Sequence, residues 1–541
     1  MIKVTIKEGR FWKKYTKNNI TIYYKGYFYS HSIKEIACNI LDCSNKDLDE
    51  NIKNIDGHFA LVIVKEDITI VAVDKIRSTP LFFANINDQF YIDHNATRLV
   101  DNNNFSRDVN EDSILEISMS GYTVGNKTIY SKLHSLKAGE LAIFNESSYE
   151  THQYFKYCCN IDKGSVDYIG ALSGLTVKIF KKMLDNIKDR QIVIPLSAGN
   201  DSRLVASILK ELGATNVLCY SYGSPGNFEA DTAKLIAEKL DYEWVFVPLT
   251  HKSEKAFYAS DEYSRYLKFS ETYSSVPYIQ SLSTIKYLKE SQLISDDAVF
   301  INGNSGDFIS GLHLNYLLKS DCEVRDIDAR KENILNSIIK KHFSLWGQLS
   351  TFRNINKIKK SLWNEIESSC DTLLEYKKDY TLYEYAEYTD RQSKYVITGQ
   401  RVYEFYGHEW RMPLWDNEYI DFWAEVPLKY KKNQTLYLDM LKKNNFSGVW
   451  GEDIPVNKKT ISPKWILPLR FLFKVLFSTL GEKGKKFWHE FEAVFFYYWM
   501  DNTRMMSTLS YWRVVKSIGK KPQNHVSWQA VDYIRDKLKL K

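Results

Sequence analysis

Residues 191–213 read QIVIPLSAGNDSRLVASILKELG, and this stretch decides the fold. Its apolar run, 192–196, predicts a buried strand. Small and polar residues follow at 197–202. A helix is then predicted up to Gly213, a common helix stop, because apolar residues recur at helical spacing: Leu204, Val205, Ile208, Leu209 and Leu212.

A strand, a loop of small residues and a helix N-terminus together form a geometry that binds phosphate. Small side chains let backbone N–H groups approach an anion, and the helix end adds positive partial charge. Asp201 would repel phosphate from this loop unless a cation lay between them, so it predicts bound Mg²⁺. The loop lacks the Walker and G-x-G-x-x-G patterns. The alternative is an ordinary turn with Ser and Asp as helix caps.

Composition and charge indicate a globular protein of more than one domain. The chain has 541 residues, 44% hydrophobic and 26% charged, which predicts two or three domains. A net charge of +6 does not demand nucleic acid, and none is expected as a partner. The seven cysteines lack metal-site spacing, and neither a signal peptide nor a membrane span is recognised. We expect a reduced, cytoplasmic protein.

The order of predicted elements divides the chain into three parts. Residues 1–165 contain short alternating strands, which favours a β-rich domain. Residues 166–463 alternate strands and helices, and this order implies a parallel sheet whose ligands bind at the carboxyl ends of the strands. Residues 464–541 form a helical extension.

The extension begins with a cationic amphipathic pattern, PKWILPLRFLFKVLFSTLG at 463–481. Arg470 and Lys474 are expected on one side and apolar residues on the other: Trp465, Leu469, Leu472, Phe473, Leu476 and Phe477. Such a helix can lie on a membrane surface. Packing against its own domain is more common, and this is the prediction here.

A second loop repeats the design of the first. The apolar residues 298–301 lead into Asn302-Gly303-Asn304-Ser305-Gly306-Asp307. If Asp201 and Asp307 converge on one pyrophosphate, Mg²⁺ held by both carboxylates would neutralise the leaving charge. The alternative is a common Gly/Asn/Asp turn.

These motifs carry a family resemblance. The first loop resembles Ser-Gly-Gly-x-Asp-Ser of the ATP pyrophosphatases, with Ala198 at one glycine position. The second loop resembles Ser-Gly-x-Gly-x-Asp, and residues 409–416 resemble Glu-x-Arg-x-Pro-Phe-Leu-Asp, of the asparagine synthetases. Residues 56–60, 74–81 and 138–140 resemble parts of their glutaminase domain.

The chain therefore resembles the asparagine synthetase superfamily, which includes β-lactam synthetases and lasso-peptide cyclases. The resemblance implies an α/β protein in which an N-terminal β-rich, Ntn-hydrolase-like (glutaminase-like) domain precedes a C-terminal α/β parallel-sheet domain. That second domain would be an ATP pyrophosphatase of the PP-loop, adenine nucleotide alpha hydrolase-like type with a helical extension. The implied chemistry is adenylation of a carboxylate by Mg-ATP, followed by attack of an amine.

The resemblance also implies roles for individual residues. Asp201 and Asp307 would bind Mg²⁺, and Lys459 would be the catalytic lysine, although the adjacent Lys458 leaves the register open. Asn304 would meet the carboxylate and the amine. Residues implied to contact ATP are Leu196, Ser197, Gly199, Asp201, Ser202, Tyr222, Asn302 and Gly303.

Departures from the family narrow the function. The family has a nucleophilic cysteine after the initiator methionine, whereas this chain has Ile2, and its first cysteine is Cys38. We therefore expect no glutamine hydrolysis and an N-terminal domain that shapes or covers the second site. Asn304 stands where relatives have glutamate, tyrosine or histidine, and Phe308 replaces an acid. A substrate other than aspartate is expected.

Three functions remain open at this point. The first is an ATP-dependent ligase that joins ammonia or a substrate amine to a small-molecule, peptide or sugar carboxylate. The second is a glutamine-hydrolysing asparagine synthetase. The third is an inactive nucleotide-binding or scaffold protein. The sequence leaves open a homodimer and peripheral membrane contact through the C-terminal extension.

Overall fold

The computed structural model describes residues 2–17, 19–41, 47–65, 67–158, 167–317, 326–370, 378–454, 463 and 465–539. The described strands are β1 (Ile2–Val4), β2 (Lys13–Lys17), β3 (Ile20–Phe28), β4 (Gly57–Val64), β5 (Thr69–Val73), β6 (Phe82–Ile86), β7 (Gln89–Asp93), β8 (Leu133–Ser135), β9 (Glu140–Phe144), β10 (Tyr149–Gln153), β11 (Ile192–Pro195), β12 (Val217–Gly223), β13 (Glu243–Pro248), β14 (Val299–Ile301) and β15 (Glu409–Arg411).

The described α-helices are α1 (Ile33–Leu41), α2 (Leu48–Lys53), α3 (Ala96–Val100), α4 (Glu111–Ser120), α5 (Tyr168–Ile187), α6 (Asn200–Glu211), α7 (Phe228–Lys239), α8 (His251–Tyr258), α9 (Asp261–Phe269), α10 (Leu282–Glu290), α11 (Gly306–Ile309), α12 (Ile327–His342), α13 (Phe352–Cys370), α14 (Asp379–Ala386), α15 (Arg401–Phe405), α16 (Asn417–Glu425), α17 (Leu428–Lys431), α18 (Thr435–Asn444), α19 (Ile466–Ser478), α20 (Gly481–Phe495), α21 (Tyr497–Met500), α22 (Tyr511–Val515) and α23 (His525–Leu538). A π-helix, Glu387–Val396, follows α14.

The N-terminal part is built from two packed sheets, which agrees with the predicted β-rich character of this part. One has the strand order β1-β7-β6-β8 and the other β10-β9-β5-β4-β3-β2. Val62, Val71 and Phe144 of the larger sheet share a core with Phe83 and Ile92 of the smaller one. Strand β4 is buried on both faces because helices α1 and α2 cover its other side. Its nearly continuous apolar sequence follows from this double burial.

The second part contains a five-stranded parallel sheet in the order β13-β12-β11-β14-β15. Its neighbouring strands all pair in parallel. The predicted parallel-sheet fold is thus confirmed, including the strand before the first loop. Strand β15 was not predicted, because its three residues are too few to show an alternating pattern. Glu409 and Arg411 form an ion pair at 3.3 Å within it.

The residues that resemble the glutaminase motifs form hydrogen bonds within the N-terminal part and to the second part of the chain. The buried Asp74 carboxylate accepts hydrogen bonds from the backbone N–H groups of Phe59 and Ile76 at 2.7 and 2.9 Å. Buried Arg77, with φ of 56°, donates to the carbonyl oxygens of Leu136 and of Ser393 in the π-helix. Burial lowers the pKa of Arg77 to about 9. These motif residues therefore act in folding and packing.

The first helix of the extension, α19, is packed less completely than predicted. Ile466, Phe473 and Phe477 of α19 pack against Trp488, Phe491 and Phe496 of the following segment. However, several residues expected to pack on the protein are exposed, namely Trp465, Leu469, Leu472 and Leu476. The prediction was wrong because one neighbouring helix, α20, can cover only one side of a helix that is apolar around most of its circumference.

The rest of the extension returns to the body of the protein. Trp528 and Tyr533 of α23 join Phe82 and Ala84 of β6 in one buried cluster on the outer face of the smaller N-terminal sheet. The C-terminal segment therefore covers a sheet that lies far from it in sequence. In the described part of the chain, no helix is both long and apolar enough to cross a bilayer.

Replacement of Lys182 by methionine should destabilise the junction between the two parts. Its ammonium group lies 2.9 Å from Asp56 and 2.9 Å from Asp416, and the Asp416 side chain is almost fully buried. Without the lysine, two carboxylates would face each other, so we expect a loss of about 3 kcal/mol in the free energy of unfolding, measured by urea titration.

The matched control is Lys178→Met on the same helix. Lys178 is 61% exposed and pairs with Glu418 at the surface, so its loss should cost below about 1 kcal/mol. Equal effects of the two substitutions would contradict the importance of the Lys182 bridge.

Candidate active site

Hydrogen bonds to serine hydroxyl groups within the first loop hold its conformation. Strand β11 ends at Pro195, and helix α6 begins at Asn200 with Gly199 as its N-cap. The Ser197 N–H donates to Ser202 Oγ at 3.1 Å, and the Gly199 N–H donates to Ser197 Oγ at 3.2 Å. The α6 N-terminus is thereby held at the carboxyl end of a parallel strand, which is where such sheets bind ligands.

The second loop is held against the first by a hydrogen bond to the Asp201 carboxylate. The Asp201 carboxylate accepts a hydrogen bond from the Asp307 N–H at 3.1 Å and another from the Tyr437 hydroxyl at 3.0 Å. A Cβ atom placed on Gly306 would lie 2.4 Å from Asp201 Oδ1, and one on Gly303 would lie 2.6 Å from the Asp201 carbonyl carbon. Glycine is required at both positions by this close approach.

Asp307 is positioned by a buried chain of ionisable groups. Its Oδ2 lies 3.2 Å from His313 Nε2, while His313 Nδ1 lies 2.5 Å from Glu387. The second carboxylate oxygen of Glu387 contacts His342 Nε2 at 2.9 Å. Burial opposes ionisation of Glu387, but the neighbouring histidines His342 and His313 outweigh it and hold the pKa of this carboxyl well below its usual value.

Both loops open into one cavity of about 540 Å³. Every described residue that the sequence singled out lines it: Leu196, Ser197, Gly199, Asp201, Ser202, Tyr222, Asn302, Gly303, Asn304 and Asp307. Lys458 and Lys459 lie outside the described residues. The two aspartates, 106 residues apart, therefore share one space, and apolar packing does not separate them.

The cavity also contains polar side chains that the sequence did not single out. Gln280 donates to the Tyr222 hydroxyl at 2.7 Å, and Tyr278 donates to Gln280 at 3.0 Å. Asn502 and Thr503 of the C-terminal extension also line the cavity. The Asn502 side chain accepts a hydrogen bond from the Ser224 N–H at 3.0 Å, just beyond strand β12. No local motif in the extension signals this contact.

Arg391, on the π-helix, brings a positive charge to the same cavity. Its guanidinium lies 3.5 Å from Glu387. Burial would lower the pKa of Arg391, but the Glu387 charge outweighs it and raises that pKa. No local sequence motif marks Arg391, because its direction depends on how the π-helix packs against the rest of the fold.

The donor set fits Mg²⁺. Two carboxylates, Asp201 and Asp307, face one cavity, and oxygen ligands are those that Mg²⁺ prefers. Magnesium commonly uses one or two carboxylates and completes its coordination with phosphate oxygens and water. Asp201 and Asp307 are accordingly the residues that would hold the ion.

Two family models match successive parts of the chain. Residues 23–155 match a glutamine amidotransferase domain, and residues 183–444 match asparagine synthase. The fold and the site thus define a two-domain protein of the amidotransferase and synthase type. The chain belongs to the asparagine synthetase superfamily, with a glutaminase-like N-terminal domain and an asparagine-synthase domain.

Two solved structures to which the chain is similar share little sequence with it. The allosteric regulatory enzyme of purine biosynthesis is 12% identical over 43% of this chain and 61% of its own, with a TM-score of 0.19. Glutamine phosphoribosylpyrophosphate amidotransferase from B. subtilis, complexed with ADP and GMP, is 11% identical over 55% of this chain and 64% of its own, also with a TM-score of 0.19. The chain thus spans less than two thirds of each structure. No curated protein matches the chain.

Gly306→Ala should separate the two loops. The added methyl group would overlap the Asp201 carboxylate, so we expect the free energy of unfolding to fall by about 1–3 kcal/mol and nucleotide affinity to drop. Urea titration and calorimetry with an ATP analogue measure the two effects.

Gly174→Ala in helix α5 is the matched control. A Cβ atom at this position meets nothing within 4 Å, and alanine favours a helix over glycine, so stability should stay equal or rise by about 0.5–1 kcal/mol. A stable Gly306→Ala protein with unchanged affinity would contradict the interlock.

Proposed function

We propose that this protein is an ATP-dependent ligase that forms an amide in two steps. A substrate carboxylate oxygen attacks the α-phosphorus of ATP and releases pyrophosphate, giving an acyl adenylate. An amine or ammonia then attacks the acyl carbon, and AMP leaves with the former carboxylate oxygen. The convergence of the Asp201 and Asp307 loops on one cavity carries the proposal.

The cavity is suited to the first step because it combines three sources of positive potential. The N-terminus of α6 lies at the cavity. Arg391 adds a full charge there. Mg²⁺, when held by Asp201 and Asp307, would neutralise phosphate charge. Donors fixed in place before the reaction stabilise the departing pyrophosphate with little reorganisation.

The nucleoside is proposed to occupy the side of the cavity formed by strand β12 and the extension. The hydrogen-bonded chain from Tyr278 through Gln280 to Tyr222 has both donors and acceptors for a ribose or a base. Asn502 and Thr503 also line the cavity, and the Asn502 side chain accepts a hydrogen bond from the Ser224 N–H next to β12. The extension would therefore complete the nucleotide site.

The surroundings of Asn304 support a carboxylate substrate other than aspartate. Asn304 carries no charge and cannot act as a general base at neutral pH. Phe308, at the position of a family acid, is 1% exposed and stacks on Trp415 at 5.9 Å between ring centroids. This position therefore belongs to the apolar core. Lys459 is proposed to stabilise negative charge in both steps, by analogy with the family.

The N-terminal domain is proposed to have a structural role without glutamine hydrolysis. Ile2 and Val4 pack against the apolar core between the two sheets. Cys38 lies on helix α1, and Cys158 contacts Cys370 of α13 at 3.2 Å. Cys43 and Cys159 are outside the described residues.

The first test asks whether ATP is cleaved between the α- and β-phosphates. Purified protein with Mg-ATP and a panel of carboxylates and amines should release pyrophosphate and AMP. Asp201→Asn should lower the rate at least about 100-fold because a carboxylate that would hold Mg²⁺ is lost. Asp241→Asn is the control, since the Asp241 side chain is 98% exposed. Release of ADP and phosphate would exclude the adenylation mechanism.

The second test concerns glutamine. Incubation with glutamine, with or without ATP, should give no glutamate above the level of a heat-treated sample, whereas ammonia or a primary amine should support turnover. Cys38→Ser should change neither result. Glutamate production that Cys38→Ser abolishes would instead assign an active glutaminase to the N-terminal domain.

A further inference from the structure

Exposed apolar residues concentrate on one helical hairpin of the extension. We call helices α19 and α20 with their turn, residues 465–495, the apolar hairpin. Nine large apolar residues are exposed on it: Trp465, Leu467, Leu469, Phe471, Leu472, Val475, Leu476, Leu480 and Phe487. In the rest of the described chain, exposed apolar residues are scattered. A contiguous patch of this kind marks an interaction surface.

The side chains of helix α19 form three sectors around its circumference: packed apolar, cationic and exposed apolar. At about 100° per residue, Ile466, Phe473 and Phe477 fall within one narrow sector, and these residues pack against α20. Arg470 and Lys474 fall beside that sector. The exposed apolar residues occupy more than half of the remaining circumference. Cations therefore border a wide apolar arc and do not interrupt it.

This arrangement fits the surface of a lipid bilayer. An interfacial helix buries its apolar face at the boundary between headgroups and acyl chains, while lysine and arginine at the border extend toward the headgroups. Residues 463–492 contain six Lys and Arg against three Glu, and Lys483, Lys485 and Lys486 lie exposed near the hairpin turn. This excess of positive charge complements anionic lipid headgroups.

The dimensions of the helix agree with a position along the membrane plane. Helix α19 has 13 residues, a length of about 20 Å, whereas the hydrocarbon core is about 30 Å thick. Trp465, Trp499 and Tyr511 line an apolar groove of about 540 Å³ at the base of the hairpin, and Trp512 is exposed beside Tyr511. Tryptophan and tyrosine are the side chains enriched at membrane interfaces.

We propose that the apolar hairpin docks the protein on the surface of an anionic lipid bilayer. A second copy of the chain fits less well, because the exposed arc curves around most of a single helix, which one flat protein surface could not cover. Asn502 and Thr503, which line the candidate cavity, follow α21 after Asp501. Docking would therefore bring the bilayer close to the segment that forms part of the candidate active site. The proposal does not depend on the ligase function.

The test is flotation of the full-length protein with phosphatidylcholine vesicles, with and without phosphatidylglycerol. The protein should float with the anionic vesicles and bind the neutral ones more weakly. Phe471→Ser combined with Leu472→Ser should lower the partition coefficient at least about tenfold, because both exposed side chains lose their apolar transfer. Lys474→Gln with Lys483→Gln should remove most of the preference for anionic lipid.

The matched control is Phe352→Ser, which removes a phenylalanine that is 82% exposed at the start of α13. Its binding should equal that of the unaltered protein. Absence of binding to anionic vesicles would overturn the proposal, as would binding that survives the Phe471/Leu472 substitutions.

Light scattering measures the oligomeric state of the same variants. A dimer that these substitutions dissociate, without vesicle binding, would assign the face to a contact between copies and would equally overturn it. No ATP turnover is measured, so failure of the ligase proposal would remain distinguishable.

Discussion

The contact between the Asp201 carboxylate and the second loop is the constraint on which the candidate site depends. The Asp307 N–H and the Tyr437 hydroxyl both donate to this carboxylate. Gly303 and Gly306 lie too close to Asp201 for any side chain. One carboxylate thus sets the spacing of two strand-to-helix loops, and this spacing determines the shape of the cavity between them. The same group is proposed to hold Mg²⁺, so structural and chemical roles coincide at one residue.

The N-terminal domain supports this site from behind. His58, which follows the Asp-Gly pair of the glutaminase-like motif, contacts the Trp415 carbonyl oxygen at 2.9 Å, and Lys182 bridges Asp56 to Asp416. Trp415 in turn stacks on Phe308, directly after Asp307. The motif residues of one domain therefore lie behind the second loop of the other. This provides a physical reason for a glutaminase-like domain to remain where we propose that hydrolysis has been lost.

The C-terminal extension links three surfaces. Helix α23 covers the smaller N-terminal sheet, the turn at Asn502 and Thr503 lines the cavity, and the apolar hairpin faces outward. His251 stacks on Tyr498 with ring centroids 4.5 Å apart and thereby ties this segment to helix α8. The candidate active site and the apolar hairpin are thus joined by one continuous segment of the chain.

The sequence by itself determined the fold class and both loops, because a buried strand followed by small residues and an aspartate is a local pattern, and the family resemblance of these motifs implied the ten residues that line the cavity. It could not determine that Arg391, Gln280 and Asn502 reach the same space, since each lies on an element whose orientation is set only by packing against distant parts of the chain. The local sequence also could not predict that one face of α19 is exposed. Periodicity identifies an apolar helix, but the number of neighbours available to cover it depends on where the helix lies in the tertiary structure.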